Sequence, residues 1–225
     1  MSRKSLRDVI MAHSTDTSGN VGVILAGGRS SRMGESKAAM LFGGEPLLRR
    51  VVHRLSDAVD DILIIGPGEL DARVPGMRVI PDVVPGIGPL GGLYTALRST
   101  TAARLFLVAC DMPFVQPRLI RAMLAASIAN RAAEAVILGT QSDRSRLQPL
   151  HAVYTSACLP VVERALVSAD HSLRSLLSHL AVFMMDAETE RHQDPQGLSA
   201  YNINTPDDWA EALRLAAKAD GSHVG

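Results

Sequence analysis

Cysteine is nearly absent from this chain of 225 residues: only Cys110 and Cys158 occur. That excludes a disulfide framework, and no C-x-x-C pair is present from which a zinc or iron–sulfur site could be built. Charge of one sign is not in excess either, with 23 Lys and Arg set against 23 Asp and Glu. A protein whose main partner is a nucleic-acid backbone or an anionic membrane surface needs a large cationic surplus, so neither is the expected partner and any anion site must be local. No apolar run approaches the roughly 20 residues of a spanning helix, and the opening residues do not read as a secretory signal. A reducing compartment, the cytoplasm, is the expected setting. Aromatic side chains make up only 4%, yet 47% of the chain is hydrophobic, which is enough apolar material for a real core.

Short Val/Ile/Leu runs alternate with stretches of helical periodicity, the pattern of an α/β fold with a buried, mostly parallel central sheet flanked by helices in three layers. Strands are expected at Val21–Ala26, Asp61–Gly66, Met77–Ile80, Arg104–Ala109, Glu134–Leu138, His151–Tyr154, Ala181–Met185 and Tyr201–Ile203. Apolar stripes predict helices through Leu47, Leu48, Val51, Val52 and Leu55, through Leu90, Leu93 and Leu97, and through Leu119, Ile120, Met123, Leu124 and Ile128. Further helices are expected over 156–168, 172–180 and 206–218, the last with Thr205 as N-cap and Pro206 at the first helical position. No linker divides the chain. It reads as one domain over 21–219, preceded by a flexible extension at 1–20 and followed by a frayed tail at 220–225.

In open α/β sheets ligands bind beyond the carboxyl ends of the strands, and three loops there stand out. After the first strand comes Leu25-Ala26-Gly27-Gly28-Arg29-Ser30-Ser31-Arg32-Met33-Gly34-Glu35-Ser36-Lys37. Glycines allow backbone N–H groups to approach an anion, and Arg32 and Lys37 add charge, so a triphosphate would suit this loop. The alternative is a plain turn with solvated basic residues. Asp111, in Cys110-Asp111-Met112-Pro113, ends a buried strand with a hard oxygen ligand suited to Mg²⁺; the other reading of it is a helix cap. Cys110 reads as a small buried residue, because no base is identifiable beside it. Ile80-Pro81-Asp82 leads to Gly88-Pro89-Leu90-Gly91-Gly92, a glycine-rich helix start that would serve either a ligand or tight helix–sheet packing. Asn202 and Asn204 flank Ile203, so that one can face a site and the other fix the loop; asparagines before a helix also serve as turn formers. His171 and His179 make no metal-ligand cluster, Arg174 could reach an acceptor phosphate or lie solvated, and Gln148-Pro149-Leu150-His151 could shape an acceptor side.

The string LAGG…RMG…K resembles the signature of nucleotidyltransferases that join an NTP to a phosphorylated acceptor. With IPD, GPLGGL, CDMPF, QPLHAVY and NINTPDD in the same order over roughly residues 21–215, the chain is similar to the molybdenum cofactor guanylyltransferase family. The resemblance implies a Rossmann-like fold that binds GTP with Mg²⁺ and transfers GMP to molybdopterin, giving molybdopterin guanine dinucleotide and pyrophosphate. It implies nucleotide contacts from Leu25, Ala26, Gly27, Gly28, Lys37, Asp82, Gly92 and Asp111, with Asp111 also holding the metal. Arg32 and Gly34 match the phosphate loop, Arg32, Lys37 and Asp111 the catalytic charges, and Asn202 and Asn204 the pair associated with the pterin. Molybdopterin, with or without molybdenum, is the implied acceptor, and other cofactor-biosynthesis proteins or apo-molybdoenzymes are the implied partners. Where many relatives carry an Asn after the second strand, this chain reads Ile65-Gly66-Pro67-Gly68. Rival readings are a cytidylyltransferase, against which Gly27 speaks, a sugar-phosphate nucleotidyltransferase, and a nucleotide-binding regulator without turnover.

Overall fold

Strict alternation along the first strand decides the architecture. In β1 (Asn20–Leu25), Val21, Val23 and Leu25 point into one apolar cluster, while Ile24, and Ala26 just beyond, point into another on the opposite face. A strand buried on both faces requires a helical layer on each side. The computed structural model describes residues 19–27, 37–139 and 147–221. Most of the expected extension at 1–20 and of the tail at 220–225 therefore lies outside the described residues, though β1 opens at Asn20 and the last helix runs through Gly221.

After β1, a short turn of 3-10 helix at Lys37–Ala39 leads into a small hairpin, β2 (Leu41–Phe42) and β3 (Glu45–Pro46), and then α1 (Leu47–Ser56). The chain continues through β4 (Asp61–Ile65), β5 (Arg78–Ile80), α2 (Pro89–Arg98), β6 (Arg104–Ala109) and α3 (Pro117–Ala129). The second half holds β7 (Ala135–Ile137), β8 (His151–Thr155), α4 (Leu159–Leu166), α5 (Leu173–Leu176), β9 (Val182–Met184), α6 (Ala187–Gln193) and α7 (Pro206–Gly221). Seven strands form one sheet in the order β5-β4-β1-β6-β8-β7-β9. All pairs are parallel except those that β8 makes with β6 and β7, so β8 alone runs against the rest. The sheet is mostly parallel, as the buried apolar runs required.

The helical stripes pack as their spacing predicts. Leu47, Leu48, Val51, Val52 and Leu55 of α1 are all buried, as are Leu90, Leu93 and Leu97 of α2. On α3, however, Ile128 is half exposed and Ser127 takes the buried place. At 3.6 residues per turn Ser127 lies about 20° from the direction of Ile120, whereas Ile128 has swung about 80° away. The expected strand at Tyr201–Ile203 is also absent from the sheet. Its backbone bonds elsewhere, with the Ile203 N–H donating to the Asp111 carbonyl at 3.0 Å. Thr205 caps α7 as its position predicts: its Oγ1 accepts from Asp208 N–H at 3.1 Å, and Asp208 returns a carboxylate to Thr205 N–H at 2.8 Å. Those bonds hold the Asp208 carboxyl below the usual carboxylate range, led by one from the Asn204 N–H.

A third, smaller core fastens the C-terminal helix to the end of the sheet. Phe42 stacks edge-on against Phe114 at 5.9 Å and Trp209 at 5.6 Å, and Phe114 against Tyr201 at 5.9 Å. Arg50 covers the Phe42 ring at 5.1 Å and donates to the Pro113 carbonyl at 3.3 Å. Phe42→Ala would empty a fully buried site at the centre of this cluster. A loss of about 3–5 kcal/mol in urea-unfolding free energy is the expected outcome.

Candidate active site

The carboxyl ends of β1, β4, β5 and β6 are tied to one another one residue beyond the ladder. Ala26 N–H donates to Ile65 O at 2.8 Å, Gly66 N–H to Ile80 O at 3.1 Å and Cys110 N–H to Leu25 O at 3.0 Å. This makes a rigid floor on which the loops stand. Gly27 is exposed, and among the described residues no heavy atom lies within 4 Å of where its Cβ would be. A glycine at a strand end is what a close backbone approach to a ligand requires.

At the end of β6 the Asp111 carboxylate meets Lys37. Lys37 Nζ lies 3.2 Å from Asp111 Oδ2 and donates to the Ile203 carbonyl at 2.6 Å. Both side chains are more than four-fifths covered, so the pair is poorly screened by solvent. Asp111 Oδ1 is buried and accepts no hydrogen bond among the described residues. An unpaired buried carboxylate oxygen is costly, and a hard cation is a partner that suits it. Among the described residues no group of three or more His, Cys, Asp or Glu could enclose a metal. The donor set fits Mg²⁺, which keeps its waters and takes one or two carboxylates together with substrate phosphates. Asp111 does not cap a helix: α3 begins six residues later with Gln116 at its N-cap. Beside it, burial and the Asp111 charge push the Cys110 thiol up to about 12, which removes it as a nucleophile.

The second loop is built around Asp82. Its Oδ1 accepts from Thr95 Oγ1 at 2.7 Å and from Val84 N–H at 3.0 Å, and Thr95 Oγ1 in turn accepts from Val83 N–H at 3.1 Å. Asp82 thus fastens its loop to α2, a use of the carboxylate that the sequence alone did not reveal. Gly88, at φ 75° and ψ −150°, turns the chain into α2 through a conformation that only glycine adopts readily. A Cβ at Gly91 would lie 2.6 Å from Val84 O and 3.0 Å from Asp82 Oδ2, and one at Gly92 would lie 2.7 Å from Leu25 Cδ2. Close approach of the Asp82–Val84 loop accounts for Gly91, and packing of α2 against the end of β1 accounts for Gly92. Contacts run from Asp82 through Gly91 and Gly92 to Leu25, then through Cys110 to Asp111 and Lys37.

Asn202 is half-buried and Asn204 exposed, on either side of Ile203, which is fully buried. The carbonyl of Ile203 holds Lys37, a backbone role that no side-chain pattern announces. Gly28, Arg32 and Gly34 lie outside the described residues. Arg174 sits exposed on α5.

Sequence reasoning left His151 without a role. The ring is fully buried, packs edge-on against Phe106 at 5.0 Å and has Nε2 2.7 Å from Ser199 Oγ. Burial lowers its pKa from 6.5 to about 4. Between those values the unfolded imidazole takes up a proton that the folded one refuses, so stability is lost as the pH falls through this window, by up to about 3 kcal/mol. His151→Gln cannot titrate. Its unfolding midpoint should therefore decline less than that of the wild type between about pH 7 and about pH 4.

The sequence and the fold both have counterparts among known proteins. The family model described as MobA-like NTP transferase domain matches residues 22–184. A protein of Pelotomaculum thermopropionicum named probable molybdenum cofactor guanylyltransferase is 35% identical over 203 residues, covering 90% of this chain and 96% of its own. A Geobacillus protein of the same name is 32% identical, covering 85% and 97%. Among solved structures, molybdopterin-guanine dinucleotide biosynthesis protein A from Archaeoglobus fulgidus superposes with a TM-score of 0.76 at 26% identity, covering 88% of this chain and 99% of that one. With its mostly parallel sheet and its charged loops at the strand ends, the chain belongs to the MobA-like nucleotidyltransferases, in the molybdenum cofactor guanylyltransferase family.

Proposed function

We propose that this enzyme transfers GMP from GTP to the terminal phosphate of molybdopterin, forming molybdopterin guanine dinucleotide and releasing pyrophosphate. The observation that carries the reading is the meeting of Lys37, Asp111 and the Ile203 carbonyl at the end of β6, beside the exposed Gly27. Three well-separated parts of the sequence supply one cationic group, one carboxylate with an oxygen that has no donor among the described residues, and the backbone carbonyl that holds the cation.

In the reaction an oxygen of the acceptor phosphate attacks the α-phosphorus of GTP. The bond from that phosphorus to the bridging oxygen of the β-phosphate breaks, and pyrophosphate leaves with the electron pair. A phosphate monoester has its second pKa near about 6, so the attacking oxygen is largely deprotonated at neutral pH and no general base is required. Positioning and charge neutralisation then carry the catalysis. Lys37 places its ammonium beside Asp111 through the Ile203 carbonyl, ready for the phosphates. Leu25, Ala26 and Gly27 provide the backbone edge of the nucleotide site, Asp82 and Gly92 set the position of α2 beside it, and Gly28, Arg32 and Gly34 complete the loop by resemblance. Asp111 would hold Mg²⁺, which neutralises charge on the phosphates as it is redistributed. By resemblance, Asn202 and Asn204 are the pair assigned to the pterin side of the site.

Pyrophosphate release from purified protein with Mg²⁺, comparing GTP, CTP and ATP with and without intact molybdopterin, tests the reading. Release only with GTP and molybdopterin is expected; preference for CTP, or GTP binding without release, overturns it. Asp111→Asn should lower turnover ~10²–10³-fold, and a near-normal rate would remove Asp111 from the mechanism.

A further inference from the structure

His151 is a polar residue at a place where an apolar one would pack without penalty. It opens β8 opposite Val108 of β6 and is followed by the buried Ala152, Val153 and Tyr154. Burying the imidazole costs solvation, and its Nδ1 finds no hydrogen-bond partner among the described residues. Stability alone does not account for it.

The one hydrogen bond of its ring among the described residues leads to a junction. Ser199 Oγ, 2.7 Å from His151 Nε2, also accepts from Gln116 N–H at the start of α3 at 2.9 Å, while Ser199 N–H donates to Asp194 Oδ2 beyond the end of α6 at 2.7 Å. A serine hydroxyl has one proton and two lone pairs, so these contacts leave room for a neutral imidazole as either donor or acceptor. Ser199 is thereby anchored from β8, α3 and α6. Only four residues further on, Ile203 bonds to Asp111 through its N–H and to Lys37 through its carbonyl. The segment 199–204, which carries Asn202 and Asn204, is thus held at one end by Ser199 and at the other by the catalytic charges.

The geometry points to His151 as a positioning residue for the acceptor half of the site: its hydrogen bond to Ser199 sets where the 199–204 segment crosses the end of the sheet. The consequence for catalysis rests on the guanylyltransferase reading. Nothing in the arrangement requires His151 to touch substrate.

The test uses the full chain with GTP, Mg²⁺ and molybdopterin, and the variants His151→Phe, Ser199→Ala, the pair together, and His151→Gln. Phenylalanine keeps ring volume against Phe106 and removes the bond, whereas the glutamine amide can restore a polar atom near the place of Nε2. His151→Phe and Ser199→Ala should each raise KM for molybdopterin ~10-fold while KM for GTP stays within about twofold. The double variant should be no worse than Ser199→Ala alone, which already removes the His151 bond together with the one from Gln116 N–H, and His151→Gln should recover most of the loss seen in His151→Phe. Hydrogen–deuterium exchange of the free proteins provides a readout independent of turnover. Amides in 199–204 should exchange faster in His151→Phe while β1 and β6 are unchanged. Unaltered exchange in that segment, or equal changes in both KM values together with a general loss of protection, would overturn the proposal. If the wild type fails to turn over, the functional reading falls, and the exchange result alone decides whether His151 positions the segment.

Discussion

One ammonium group closes this molecule. Lys37 comes from the start of the chain, Asp111 from the end of the central strand and Ile203 from just ahead of the last helix, and they meet over distances of 3.2 and 2.6 Å. Covering a lysine to this extent is costly unless its charge is paired and its protons are accepted. The carboxylate and the carbonyl meet that demand together, so neither neighbouring loop can settle independently of the other. The ends of β1 and β6 are in turn locked by the Cys110 to Leu25 bond. The geometry around Lys37 and Asp111 is therefore a property of the sheet as much as of the loops.

Support from behind comes from the residues the chain uses most sparingly. It has four Phe, three Tyr and one Trp, and half of these eight rings, Phe42, Phe114, Tyr201 and Trp209, lie in a single edge-on cluster. That cluster joins the β2–β3 hairpin, the loop after Asp111, the 199–204 segment and the C-terminal helix. Large flat side chains of this kind give contact area with little rotamer freedom to lose, which suits a place where four segments must hold one orientation.

Much of this was legible from the sequence, for reasons that can be stated residue by residue. The Val/Ile/Leu runs of β1, β4 and β6 are buried on both faces, and the stripe of α1 falls wholly inward, because burial forces period and composition to agree. Thr205 announced its helix through local chemistry alone. Tyr201–Ile203 was legible as an extended segment but not as a strap, because its partner is the Asp111 backbone rather than a neighbouring strand. The Ile203 carbonyl had no side-chain signature to find. Helix α6 and the two-residue hairpin strands are too short for periodicity to register. Asp82 could be placed near the site, yet its hold on Thr95 depends on a tertiary contact 13 residues away.

The strap that returns to Asp111 also bears on the order in which the protein is made. Strands β1, β4, β5 and β6 and their helices are all encoded before residue 130, and local parallel units of this kind can collapse as soon as they are available. The Lys37 ammonium, however, acquires its closest partner only when Ile203 has been synthesised, a separation of 166 residues. Contacts of such long sequence separation close late, because the entropy of the intervening loop must be overcome first. A nascent chain can thus possess most of its sheet and both members of the Lys37–Asp111 pair while still lacking the arrangement that holds them, so that the site is completed only after Ile203 has emerged.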